Sequence, residues 1–550
     1  MGRIETVPTK KTRSVTITFN HTFIITFIKE VQEPSTITRT SVFKSHLNPL
    51  IALNKNCKHY LKSLGKFSEL CVFKMKLRTL FVTCLLLWSL MLLSLFIIFN
   101  HRLLDAMTVN SPSYSGKPRE DKLLGGLLSE EFDEGSCLSR YQSSLYRKPS
   151  PYEPSEYLVS KLKSYEMLHK RCGPGTEAFK RATEQLGHDT RSCGECRYIV
   201  WVAVHGLGNR IVSLVSAFLY ALLTERVLLL DQGTDMRHLF CEPFPGTIPS
   251  YLYLYLIHDY EDHDKMFFCE REQNLIRQVP WLVSNSNQYF VPSLWLIPSF
   301  QIELIKLFPQ KDTVFHHLGR YLLHPTNQVW GLITRFYNAY LSRADETLGV
   351  QVRVYSNPDG YLEHVINQIL SCTQREKLLP ELTTLESQVT NKSTSPKLKA
   401  VLVTSLYPEY SEKLRAMYWE SPSSRGDMVQ VYQPSQEMFQ QTDEKLHDQK
   451  ALAEMYLLSL TDKLVTSGLS TFGYVAQGLG GLKAWILYRP TNHTTPDPPC
   501  VRAVSMEPCF HRPPPINGCQ AKTTVNSTRF VRRCEEWTTG IKLVDSTDVF

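Results

Sequence analysis

The 550-residue sequence predicts an α/β body with parallel sheets, preceded by one membrane-spanning helix. Three observations carry this. From Tyr198 onward, short runs rich in Val, Ile and Leu alternate with stretches of helical periodicity, the pattern of strands joined by crossover helices. The turns after several of these strands hold small, hydroxyl or basic residues. Thr79 to Phe99 holds no charge and is long enough to cross a hydrocarbon core as a helix.

Composition is that of a folded protein, 43% hydrophobic and 21% charged, with length for two or three domains. The net charge of +8 would suggest a nucleic-acid partner if it lay in the body. It does not. Residues 1–78 hold 14 Lys or Arg against 4 Asp or Glu, which leaves the remainder near −2. No nucleic-acid partner is expected.

The first 78 residues read as a cytosolic basic tail. Lys74, Lys76 and Arg78 precede the apolar run, and this bias places the C-terminal bulk across the membrane. The run is too long for a cleaved signal and lacks a small-residue cleavage site. Met75 opens a basic lead, Met-Lys-Leu-Arg, sufficient for the anchor, so translation is expected to start at Met75 or residues 1–74 to be an artefact of the gene model. Residues 100–136 read as a polar stem.

Eleven of the 14 cysteines follow the span and should mostly pair in an oxidising lumen. Cys193-Gly-Glu-Cys196 has zinc-like spacing but no second close pair, so disulfides are the expected use. Cys500, Cys509, Cys519 and Cys534 crowd a Pro-rich tail as staples. Asn391, Asn492 and Asn526 head glycosylation sequons.

In the body, Tyr157 to Arg171 reads as a helix, Tyr198 to Val204 as a strand, 211–225 as a helix and Val227 to Leu230 as a strand. Val329 to Leu341 follows as a helix, Leu348 to Val354 and Ala400 to Thr404 as strands. Glu409 to Met417 and Ala451 to Leu460 read as helices. Residues 464–488 read as strand, turn, helix, strand, with the helix over Phe472 to Gln477.

Sheets of this kind bind ligands at the carboxyl ends of their strands. Ser467, Gly468, Ser470 and Thr471 form a turn there, suited either to an ordinary capped helix start or to a phosphate. His205-Gly-Leu-Gly-Asn-Arg210 forms another. Its glycines permit close approach and its Asn and Arg can bind an anion or a sugar, or the Arg can be merely solvated. Ile211 stands where a dinucleotide fingerprint needs glycine. Arg353 ends an apolar strand and requires a carboxylate partner or a phosphate. Asp262-His263-Asp264 is either a solvated loop or an Asp-x-Asp metal site.

Taken together, His205 to Asp231, Gly319 to Arg353 and Ala451 to Cys509, including Thr-Pro-Asp-Pro at 495–498 and Met-Glu-Pro-Cys-Phe at 506–510, resemble the plant xyloglucan-type α-1,2-fucosyltransferase family, glycosyltransferase family 37. The resemblance spans most of Cys193 to Cys534. It implies a GT-B-like pair of Rossmann-type halves, 137–347 and a donor-binding 348–550, in a single-pass type II Golgi protein. It implies GDP-fucose as donor, a galactose of a cell-wall glycan as acceptor (xyloglucan or arabinogalactan), an inverting α-1,2 transfer, and no metal or other cofactor. A homo-oligomer is compatible with it. Arg353 matches the family arginine at the donor diphosphate. His205, Gly208, Asn209 and Arg210 match the first donor-side motif, and Ser470, Thr471, Phe472 and Gly473 the third. His205 is a candidate base or a donor-binding residue. A non-catalytic lumenal carbohydrate-binding protein of the same fold, or a transferase for another sugar nucleotide, would share these motifs; transfer assays separate the three.

Overall fold

Alternating five-residue apolar runs need burial on both sides, and a parallel sheet covered by helices supplies it. The computed structural model describes residues 123–185, 195–231, 236–244, 251–252, 267–354, 362–383, 396–441, 444–489, 494–513 and 529–545, with Trp88 and Met91. The expected span otherwise lies outside the described residues, as do the Asp262-His263-Asp264 run and the sequons at Asn391, Asn492 and Asn526.

The first sheet comprises β1 (Tyr198–Val202), β2 (Val227–Asp231), β3 (Tyr251–Leu252) and β4 (Trp281–Asn285), in the order β3-β2-β1-β4, all parallel. The second comprises β5 (Glu346–Gln351), β6 (Leu398–Thr404), β7 (Met428–Tyr432), β8 (Lys463–Ser467), β9 (Trp485–Leu487) and β10 (Cys500–Arg502). Its order is β10-β9-β8-β5-β6-β7, parallel except where β10 joins β9. A small antiparallel pair, β11 (Val531–Arg533) and β12 (Ile541–Leu543), lies near the C-terminus.

Six helices matter for the site. α1 (Glu156–Cys172) starts where Ser155 accepts the Leu158 N–H at 3.0 Å, an N-cap. α2 (Leu207–Thr224) is long and apolar enough for a membrane, yet it is 89% buried and forms the central core helix. It starts four residues before the expected 211, because extended Gly206 is the cap position and its carbonyl accepts the Arg210 N–H. α3 (Val314–Leu322), α4 (Asn327–Phe336), α5 (Lys445–Ser459) and α6 (Thr471–Gly480) complete the set. The expected helix to Leu341 is instead α4 followed by a π-helical turn, Tyr337–Leu341. Gly481, at φ 67°, closes α6 in the left-handed conformation that glycine tolerates.

The largest core cluster contains Ile199 and Trp201 of β1, most of α2, Leu464 of β8, and apolar residues of α3, α5 and α6. Smaller clusters cover the opposite faces: Tyr198 and Val200 in the first sheet, Val350, Val403 and Val465 in the second. The shared middle layer makes one body of the two sheets.

Three expectations are corrected here. The stem does not extend to 136, because Leu127 and Leu128 are buried in the main core. The boundary at 347/348 cuts β5, which begins at Glu346. Residues 348–550 are not one half, since the tail returns to the first: Phe530 packs 5.6 Å from Trp295, and Lys311 pairs with Asp545 at 3.2 Å. Disulfides join Cys137–Cys241, Cys172–Cys196, Cys372–Cys500 and Cys509–Cys534. Bonded to Cys172, Cys196 is not a zinc thiolate. Cys193 and Cys519 lie outside the described residues.

Candidate active site

Each parallel sheet reverses its strand order once, and such switch points open crevices at the carboxyl ends of the strands. In the first sheet the switch lies between β1 and β4, in the second between β5 and β8. The segments leaving three of these four strands carry the residues singled out by sequence: His205 to Arg210 after β1, Arg353 after β5, and Gly468 to Gly473 after β8.

The N-termini of α2 and α6 meet. A Cβ on Gly208 would fall 2.6 Å from Thr471 Oγ1 and 3.0 Å from the Phe472 nitrogen, so the approach requires glycine. Thr471 Oγ1 donates to Asn209 Oδ1 at 3.0 Å, and Asn209 Nδ2 donates to the carbonyl of Asn287, beyond β4, at 3.1 Å. Gly473 is equally constrained: its Cβ would stand 1.8 Å from Thr466 Oγ1. Ser470 is buried at the cap position in extended backbone, but its side chain makes no cap hydrogen bond; α2 has no side-chain cap either. The ordinary capped-turn reading therefore fails. Two positive helix ends converge instead, an arrangement that favours an anion. Phe472 contributes backbone here, while its ring packs against the core.

Arg353 lies two residues past β5, not inside a strand reaching Val354. Its N–H donates to Ser467 Oγ at 2.9 Å, and its Nη2 donates to Gln440 Oε1 at 2.8 Å. The side chain is half-buried at the switch point. Beneath it, buried Gln351 Oε1 accepts from Thr466 Oγ1 at 2.7 Å, stitching β5 to β8.

The residues of the first motif divide. His205 is exposed at the tip of its turn in a left-handed conformation, φ 64°. Arg210 is buried, not solvated. Its Nε donates to the His205 carbonyl at 2.8 Å, and its Nη1 lies 3.8 Å from Asp448 Oδ2 on α5. Its guanidinium braces the turn and ties it to α5.

Sequence reasoning missed two contributors. Gln440 joins Arg353 to the first motif, since a Cβ on Gly206 would meet Gln440 Nε2 at 2.7 Å. Behind α6, the Tyr474 hydroxyl donates to Glu536 Oε1 at 2.5 Å and lies 2.9 Å from His511 Nε2. Burial holds the His511 imidazole down at about 4, with Arg512 and Lys542 adding to the effect. Glu536 also packs behind Gly468, 3.2 Å from where its Cβ would be. Gln440 and Glu536 stand in none of the motifs singled out by sequence; the fold alone brings them in.

Comparison with known proteins identifies the family. A family model described as xyloglucan fucosyltransferase matches residues 98–248 and 246–520. The probable fucosyltransferase 8 of Arabidopsis thaliana is 67% identical over 519 residues, covering 86% of this chain and 100% of its own length. The galactoside 2-alpha-L-fucosyltransferase of Arabidopsis thaliana is 55% identical over 539 residues, covering 87% and 96%. The solved structure of a mutant Arabidopsis thaliana FUT1 in complex with GDP aligns with a TM-score of 0.70 at 58% identity, covering 77% of this chain and 100% of that one. The α/β body, its two parallel sheets and these matches together place the chain in the xyloglucan fucosyltransferase family.

Proposed function

We propose that this protein transfers L-fucose from GDP-fucose to a galactose of a cell-wall glycan, xyloglucan or arabinogalactan, with inversion and in α-1,2 linkage. One observation carries the reading: the N-termini of α2 and α6, neither with a side-chain cap, converge at two switch points, with the Arg353 guanidinium held beside the α2 turn through Gln440. A diphosphate fits that electrostatic arrangement. GDP-fucose is a β-linked donor, so an α product requires one displacement. As the sugar–phosphate bond stretches, negative charge grows on the diphosphate, and a preorganised donor aimed at it is worth roughly 3–4 kcal/mol. The amides of Thr471, Phe472 and Gly473, those of Gly208 and Asn209, and the fork of Arg353 supply such donors without a metal.

The acceptor hydroxyl loses a proton as it attacks. His205 is the base in this reading, being exposed on the same turn. Arg210 acts indirectly, by fixing that turn. The disulfides among the described residues suit an oxidising lumen, and with the apolar 79–99 run they support a type II Golgi membrane location.

The test is transfer by a secreted form starting near Ser111, in EDTA. It is offered GDP-fucose and, separately, UDP-galactose, with xyloglucan and with arabinogalactan acceptors. Fucose transfer to one acceptor is expected. A folded protein that binds no GDP and transfers nothing overturns the reading. Galactose transfer would redirect it to another donor.

A further inference from the structure

We propose that Gln440 is a positioning residue that holds the Arg353 fork towards the donor diphosphate; this rests on the donor-site reading above. A guanidinium has five N–H donors, and one of them, on Nη2, is given to Gln440 Oε1 at 2.8 Å. The other end of the same amide, Nε2, lies where a Cβ on Gly206 would be only 2.7 Å away. One side chain thus spans from the switch point of the second sheet to the turn leaving β1 in the first.

The segment that carries it is fastened on both sides. Met438 N–H donates to the Leu406 carbonyl at 2.8 Å, and Gln441 N–H donates to His447 Nε2, in the first turn of α5, at 3.3 Å. Met438 holds φ 62°, a conformation that a non-glycine residue keeps only when its surroundings impose it. The chemistry of the amide also fits the task. A carboxylate in its place would neutralise the guanidinium and repel a diphosphate. An amide orients the fork and leaves its charge for the ligand.

Charge builds on the diphosphate as the sugar departs, so losing this support weakens the transition state more than the bound donor. Six proteins test it: wild type, Gln440→Ala, Gln440→Glu, Arg353→Lys, Arg353→Ala and the double variant Gln440→Ala with Arg353→Lys, each assayed for kcat, KM for GDP-fucose and affinity for GDP. Gln440→Ala should lower kcat and GDP affinity about tenfold and move KM for GDP-fucose less than about threefold, the scale of one charge-assisted hydrogen bond. In the Arg353→Lys background the same change should add nothing. Gln440→Glu should raise KM for GDP-fucose as well as lower kcat. Gln440 is exposed, so thermal melting should show every Gln440 variant folded. An unchanged kcat in Gln440→Ala, or a loss that simply adds to that of Arg353→Lys, overturns the proposal alone. If Arg353→Ala still binds GDP as wild type does, the donor-site reading falls and takes this proposal with it.

Discussion

Thr471 and Asn209, 262 positions apart in sequence, meet through a 3.0 Å hydrogen bond. It fixes the start of α6 against the start of α2, and so sets the register between the two sheets' switch points. Gly208 makes room for the contact. Gly208→Ala would drive a methyl to 2.6 Å from Thr471 Oγ1, inside the distance real side chains keep, and into a tight 3.0 Å contact with the Phe472 nitrogen. The expected result is a loss of at least about tenfold in kcat/KM for GDP-fucose, since sub-ångström misplacement of preorganised donors is costly. Melting should show a protein still folded. Unchanged kinetics in Gly208→Ala would mean the helix ends do not act together.

Gly473→Ala is a different case. Its added Cβ would lie 1.8 Å from Thr466 Oγ1 and 2.9 Å from Thr466 Cβ, deep between α6 and β8. Overpacking of this kind typically costs about 1–3 kcal/mol. The expected outcome is a lower urea midpoint together with lower activity. Adding Thr466→Ala removes the nearest atom and should restore part of the stability. No recovery in the double variant would place the strain elsewhere.

The residues that sequence located are those whose chemistry sits in consecutive positions beside a strand end. Arg353, Ser470 to Gly473, and Gly208 with Asn209 all lie at the two switch points. Where a strand or helix stops was harder to read. The alternation Val350, Val352, Val354 continues past Gln351, but the ladder to β8 reaches only Gln351 and Thr466, so Arg353 falls beyond the strand. Arg210 reads as a ligand for an anion or sugar, or as a solvated side chain, because nothing in the chain near it announces Asp448 on a distant helix. Gln440 and Glu536 carry no local signal. Their positions follow from how a long connection and the C-terminal tail pack, which periodicity does not encode.

Stability should fall towards alkaline pH through Glu507. Its carboxyl group is fully buried, accepts a short hydrogen bond from the Tyr289 hydroxyl, and accepts the Phe315 N–H at 2.8 Å where α3 begins. Burial pushes its pKa up to about 8, with Asp312 adding to the rise and Tyr289, Phe315 and Lys542 opposing it. The folded protein therefore keeps a proton that the unfolded chain releases near 4.5. That contribution is whole below the unfolded value and is lost as pH rises through about 8. Glu507→Gln removes this titration. Urea midpoints from pH 5 to 9 should fall more steeply for wild type than for the variant, while Glu454, raised to about 8, affects both alike. Parallel curves would show Glu507 ionised throughout. On the acid side the sign reverses. His169, His317 and His511 are held near 4 by burial, so stability should also fall as pH drops from about 6.5 towards 4.

Cys372 and Cys500 are both buried, on the face of the second sheet that packs away from α6. Their disulfide closes 128 residues, and in the chain-entropy picture a loop of that size contributes about 5 kcal/mol by restricting the unfolded chain. The double change Cys372→Ala with Cys500→Ala should therefore lower the urea midpoint strongly. The folded fraction at low temperature should keep its KM for GDP-fucose, because the cross-link lies in the cluster on the far side of the sheet from α6. Stability and catalysis would then separate in one variant. A KM that shifts along with the midpoint would show that the face behind the second sheet sets the geometry of the switch point, so that the donor residues depend on the whole sheet being held, not only on the two helix ends.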